Sequence, residues 1–94
     1  MEFSFDAPVV KWQGPSPWFF ALVPEDESDA IRDHSGELTY GWGAIPVSVT
    51  IGKTGFATSL FPKDGQYYLP LKAAVRKAEG IEEGGTVSVR LLAE

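Results

Sequence analysis

The sequence predicts a mainly β fold with two short helices: a small closed or nearly closed barrel of six to seven strands. Three observations point there. Several runs alternate apolar and polar residues with period two, as half-buried strands do. Short turns rich in glycine and proline separate these runs. Where helical spacing takes over, the stretch opens on a proline and ends on a glycine, the usual asymmetry of helix ends. Closure into a barrel is the expected solution, because it leaves no strand edge unpaired.

The elements follow in order. Phe3, Phe5, Ala7 and Val9 alternate with Ser4, Asp6 and Pro8, giving a first strand with one face inward; Pro8 marks an edge or a bulge. "KWQGPSPW" reads as a loop. "WFFALV", Trp18 to Val23, is apolar without a break and predicts a strand buried on both sides. Pro24 ends that strand and opens a helix whose first turn holds Glu25, Asp26 and Glu27, where the helix dipole favours carboxylates. Ala30 and Ile31 face inward and Gly36 marks the end. "ELTYGWGAI" is irregular, with a glycine on each side of Trp42. Ile45, Val47, Val49 and Ile51 then alternate with Pro46, Ser48 and Thr50. A hairpin turn over Gly52 to Gly55 leads into the return strand "FATSLF", and Pro62 to Gly65 make the turn before "QYYL".

The last third of the chain, from Thr58 to Leu92, is the most fully signposted. Pro70 suits the first turn of a helix. From Leu71 to Glu79 the apolar residues Leu71, Ala74, Val75 and Ala78 share one face, while Lys72 and Arg76 emerge together beside it. Gly80 supplies a left-handed C′ residue, and Ile81 folds back on Val75 or Arg76 as in a Schellman cap. Val87, Val89 and Leu91 alternate with Ser88 and Arg90 to form the final strand.

Ninety-four residues make one domain, 1–94, near the small end for a single core. There is no cysteine, which excludes disulfides and thiolate metal sites. The start lacks the basic and apolar regions of a signal peptide, and no apolar run approaches the ~20 residues of a membrane span. A cytoplasmic protein without membrane contact is expected. The net charge of −5 argues against nucleic acid as a partner, since Lys and Arg supply most of that affinity by neutralising phosphates.

The chemistry-bearing residues point to binding rather than catalysis. Lys72 and Arg76, one turn apart, suit a phosphate or carboxylate, unless Glu79, Glu82 and Glu83 neutralise them. Trp12, Trp18, Trp42, Tyr40, Tyr67 and Tyr68 supply aromatic area, either to the core or to a pocket. Trp42 has glycine neighbours that allow close approach. Thr58 and Ser59 are hydroxyls expected inside the barrel, and no base is available to make either a nucleophile. His34, the single histidine, sits near a helix C-terminus and has no catalytic or metal partner in sequence. Asp26, Glu27, Asp29 and Asp33 lack the spacing of a calcium loop, and "GKTG" lacks that of a phosphate loop. No catalytic residue, metal or cofactor is therefore expected. The expected ligand or anion site comprises Tyr40, Trp42, Ser59, Lys72 and Arg76. Its partner would be a small molecule or a protein, with the chain a monomer or homodimer. A nucleic-acid binder ranks second and would need Lys11, Lys53, Lys63, Lys72, Arg76 and Lys77 on one face. An enzyme ranks last.

The segments "WFFALVP", "GWGAIPVSVTIG" and "TSLFPKDGQYYLPLKAAVRKAEGIEEGGTVSVRL" resemble the bacterial DUF1905 family across nearly the whole chain. That resemblance implies a compact β-barrel with short helices, for which no activity is established. It also implies a unit that stands alone or is fused to a further segment, absent from this sequence. Locally, Val75 to Val89 is similar to the half-barrel of AbrB-type regulators and antitoxins. Arg76, Gly80, Ile81, Gly84 and Val87 fit that pattern, which implies a double-psi/AbrB-like barrel. Leu71 and Lys72 lengthen the step into the helix, and Gly85 replaces the usual aspartate. Those regulators bind DNA as swapped dimers with a basic face. This acidic chain has enough strands to close its own barrel, so their activity is not carried over.

Overall fold

The computed structural model describes residues 2–12, 18–34 and 44–93. Tyr40, Trp42, Gly36 and the "QGPSP" loop lie outside the described residues, as does the side chain of His34. The elements are β1 (Glu2–Trp12), β2 (Trp18–Leu22), α1 (Glu25–His34), β3 (Ile45–Ile51), β4 (Thr54–Lys63), β5 (Gln66–Pro70), α2 (Ala73–Glu79) and β6 (Thr86–Ala93). The strands close into a barrel in the order β1-β2-β5-β4-β3-β6. Every neighbouring pair is antiparallel.

Closure rests on two long strands that each change partner midway. Glu2 to Pro8 of β1 pair with β6, whereas Val9 to Trp12 pair with β2. Pro8, which has no N–H to give, sits at the changeover, which accounts for the irregularity that the sequence signals there. The amide of Val9 then donates to the carbonyl of Gly85 at 2.9 Å, and Gly84 N–H returns a bond to Val9 at 3.0 Å. In β4, Thr54 to Leu60 pair with β3 and Phe61 to Lys63 with β5.

The hairpins are tight. Gly52 (φ 60°) and Lys53 connect β3 to β4, narrower than the expected turn, because Thr54 and Gly55 already belong to the strand. A side chain at Gly52 would collide with the Glu79 carboxylate packed above it. Asp64 (φ 53°) and Gly65 (φ 77°) connect β4 to β5 with both residues left-handed, the requirement of a type I′ turn that Asp-Gly meets.

The barrel is filled by Phe5, Ala7, Val9, Ala21, Ile45, Val47, Val49, Ile51, Leu60, Tyr67, Leu69, Val87, Val89 and Leu91, all buried. Its two ends carry the helices. α1 lies over the start of β5 and contributes Ile31 to the core. Its Ser28, fully buried, donates from Oγ to the carbonyl of Val23 at 3.1 Å and accepts the amide of Tyr67 at 3.1 Å. Arg32 donates to the carbonyl of Gly65, and its guanidinium lies 5.9 Å from the Tyr67 ring centroid.

α2 follows the far end of β5. It begins at Ala73, with Lys72 as N-cap, so Pro70 ends a strand where the sequence predicted a helix start. The reason is Leu71, whose amide donates to the Phe19 carbonyl at 2.9 Å, extending the β2–β5 pairing and holding Leu71 buried and extended. The later start turns Ala74 and Ala78 to solvent. Val75 alone of α2 is buried, and the half-buried Arg76 and Glu79 flank it. Gly80 is left-handed (φ 63°), and Ile81 N–H donates to the Arg76 carbonyl at 2.9 Å while its side chain packs on the core, the predicted cap.

Ser28→Ala removes a hydroxyl that serves two buried backbone groups at once. We expect a loss of ~1–3 kcal/mol, the range for stranding a buried donor, read as a lower urea midpoint at unchanged m-value. A loss below about 0.5 kcal/mol, the size of an ordinary surface change, would show that α1 is not fastened through this residue.

Candidate functional site

Buried side chains fill the barrel, and the grooves lined by the described residues lie on its outside. Along β4, Thr58 and Leu60 pair with the buried Val47 and Ile45, so Ser59 and Phe61 take the outer face. Ser59 was expected inside; the two-residue side-chain period places it outward. Phe61 stands opposite Tyr68, Trp12 opposite Trp18, and Phe20 opposite both Val10 and Pro70. The outer surface of β1, β2, β5 and β4 is thus a sheet of large rings.

These rings interlock. Phe20 is buried beneath its neighbours, with its centroid 6.1 Å from Trp12 and 5.6 Å from Tyr68 in an edge-on arrangement. Above it Trp12 is 54%, Trp18 58% and Phe61 48% exposed. The unbroken "WFFALV" run predicted a strand buried on both sides. Instead β2 buries Phe20 and Ala21 and leaves Trp18 in water, because no element among the described residues covers the outer side of its first residue. Trp12, Trp18, Phe20, Phe61, Pro62, Lys63 and Tyr68 line a groove of about 370 Å³. The ammonium of Lys63 lies 4.0 Å from the Trp12 ring centroid and 5.8 Å from that of Tyr68, a cation–π contact at the groove's edge.

A second groove of about 490 Å³ continues the first, sharing Trp18 and Phe61 and adding Ala57, Thr58, Ser59, Pro70 and Lys72. Two of the residues singled out from sequence, Ser59 and Lys72, therefore meet at one site. Lys72 is exposed there because the N-cap position holds it outside the helix.

Arg76 goes elsewhere. Its Nε donates to the Leu71 carbonyl at 3.1 Å, and its guanidinium stacks 3.9 Å from the Phe19 centroid, with Lys11 at 5.7 Å from the same ring. Arg76 and Lys72, adjacent in the helical reading, thus have separate tasks. Nor does Glu79 neutralise either one: its carboxylate accepts from Thr54 Oγ1 at 2.6 Å and from the Lys53 amide at 3.4 Å. Tyr40 and Trp42 lie outside the described residues. Trp12, Trp18, Tyr68 and Lys63 were singled out in the sequence but not placed in the expected site, and Phe61 was not singled out at all. The signal for Phe61 was its parity: Phe56, Thr58 and Leu60 alternate inward, which leaves an outward phenylalanine facing Tyr68.

Charge is uneven here. Among the described residues neither aromatic groove is lined by a carboxylate, and the ion pair formed is Arg32–Asp29 at 2.8 Å, on α1. The outer face of β1, β6 and β3 differs: Ser4, Asp6, Thr50, Ser88 and Arg90 line a polar groove there, and Ser88 Oγ donates to Asp6 at 2.8 Å. Among the described residues no group of three His, Asp or Glu side chains is placed to hold a metal ion. None of their helices is long and apolar enough to cross a membrane.

A six-stranded antiparallel barrel with helices at both ends and an aromatic outer face defines a small β-barrel domain. Residues 5–91 match the family model described as "Domain of unknown function (DUF1905)", and the chain belongs to that family. No curated protein matches it.

The contacts of Arg76 make it a structural latch for α2. Arg76→Ala is expected to cost ~1–2 kcal/mol, combining a partly desolvated cation–π contact with a charged hydrogen bond to backbone. Arg76→Lys should recover only part, since an ammonium lacks the planar stack. Chemical denaturation checks both; an unchanged midpoint for the alanine variant would leave α2 held by Val75 and Glu79 without it.

Proposed function

We propose that this domain is a non-enzymatic binding module that takes its ligand on the outer face of β2, β5, β4 and the end of β1. The observation that carries this is the contiguous, exposed set of Trp12, Trp18 and Phe61. Each large apolar side chain left in water forgoes ~1.5–3 kcal/mol of burial. Here the interior is filled mainly with Ala, Val, Leu and Ile while these rings are held outside on a rigid sheet. Apolar patches of this kind mark interaction surfaces. Ser59 and Lys72 at one end and Lys63 at the other supply the few polar groups that fix orientation. The chemistry suits a ligand that offers flat or apolar groups together with negative charge, whether carried on a small molecule, a protein segment or a longer chain. Arg76, engaged with Phe19 and Leu71, is not needed for it.

A thermal-shift panel of metabolites and short peptides tests the reading, with Trp18→Ala and Lys72→Ala as paired controls. A ligand at one hundred times its dissociation constant stabilises the native state by ~2.7 kcal/mol. Hits should lose most of their shift in Trp18→Ala and part of it in Lys72→Ala. Hits with the same shift in both variants would place the site elsewhere and overturn the reading.

A further inference from the structure

We infer that the ligand of this face is single-stranded nucleic acid, whose bases stack on Trp18 and Phe61 while Lys72 and Lys63, the latter seated over the Trp12 ring, meet the phosphates. The inference rests on the outer-face site proposed above and names its ligand class. Three features of the surface select this occupant.

The first is charge. The chain carries 13 Asp and Glu residues, yet among the described residues none lines either groove, and the charged groups that do are Lys63 and Lys72. Neither lysine is in an ion pair among the described residues. A net charge of −5 weakens long-range attraction for a polyanion, but the local surface that a strand would touch is cationic and aromatic.

The second is shape. Compact ligands sit in concave pockets that bury most of their area. These two grooves are shallow and open, and they run into one another through Trp18 and Phe61. Such a strip matches a ligand that presents flat groups one after another along a charged backbone.

The third is the kind of contact on offer. The exposed rings stand on the outer face of a sheet, where Trp12 and Tyr68 pack against the buried Phe20 and Trp18 and Phe61 stay open to a ligand. Every base has a π-face, and a platform of rings with flanking cations binds strands with little sequence preference. A duplex, whose bases are already stacked on one another, offers no ring to this surface.

Fluorescence anisotropy of labelled single-stranded DNA and RNA dodecamers at low salt tests the inference, with the duplex of the same sequence alongside. Circular dichroism confirms that each variant is folded. Single strands should bind, and the duplex should bind at least tenfold more weakly. Trp18→Ala and Phe61→Ala should each weaken binding by roughly five- to 150-fold, the range for loss of one stacked base. For two phosphate contacts, log K should fall against log salt with a slope of about −1.4, reduced by about 0.7 in Lys72→Gln. No binding of either strand, equal binding of the duplex, or binding unaffected by both Trp18→Ala and Phe61→Ala would each overturn it. If strands fail to bind while panel ligands still lose their thermal shift in Trp18→Ala, the nucleic-acid inference falls and the binding-face reading stands. If neither responds to Trp18→Ala, both fall.

Discussion

The structure depends on two strands being long enough to belong to both halves of the barrel. β1 and β4 each pair with one neighbour along their first part and another along their second, so the curved sheet closes on itself with every strand flanked on both sides. An antiparallel sheet that closes with so few strands has a narrow interior that side chains fill completely. Ala7 and Ala21, both fully buried, mark where the packing is tightest, and the larger Leu60, Leu69 and Leu91 fill the rest. A solid interior has a functional consequence: a ligand has to be met on the outside or at the ends.

The ends are occupied. α1 and α2 are short and offer the barrel little apolar area beyond Ile31 and Val75, so polar side chains fasten them. Ser28 and Arg32 tie α1 to the β4–β5 hairpin and to β5. Gln66 reinforces that tie by donating to the Val23 carbonyl at 2.9 Å. Arg76 and Glu79 tie α2 to β2 and to the β3–β4 turn. Because Leu71 is drawn into the sheet by Phe19, the helix starts late and Lys72 is left at its mouth, facing the aromatic groove. The packing of the end and the polar rim of the outer site are thus set by the same short segment.

Much of this was legible in the sequence, and the failures share a cause. Alternation over Phe3 to Val9, Ile45 to Ile51 and Val87 to Leu91 and the Gly80 cap are local patterns whose physics needs no tertiary partner, and they appear as read; the turn read over Pro62 to Gly65 narrows to Asp64 and Gly65, because Pro62 and Lys63 still pair with β5. The start of α2 was misplaced because the bond from Leu71 to Phe19 joins residues far apart in sequence. For the same reason the inward face of α2 uses Arg76 and Glu79 in place of Ala74 and Ala78. Within "WFFALV" every residue is apolar, so periodicity could not show which side of β2 stays wet. Only the neighbours that cover Phe20, and leave Trp18 open, decide it. Of the five residues expected in the site, Ser59 and Lys72 share a groove, Arg76 serves the fold, and Tyr40 and Trp42 lie outside the described residues.

The outer surface has two contrasting sides, a polar one over β1, β6 and β3 and an aromatic one over β2, β5 and β4, and the account assigns function to the second. The most direct test is a map of amide and indole NMR resonances as a single-stranded dodecamer is titrated into the folded protein at low salt. The account predicts shifts concentrated at the Trp12 and Trp18 indole N–H groups and at the amides of Ser59, Phe61, Lys63 and Lys72, with Ser4, Asp6, Ser88 and Arg90 unmoved. Shifts confined to that polar face, or an unchanged spectrum, would contradict it.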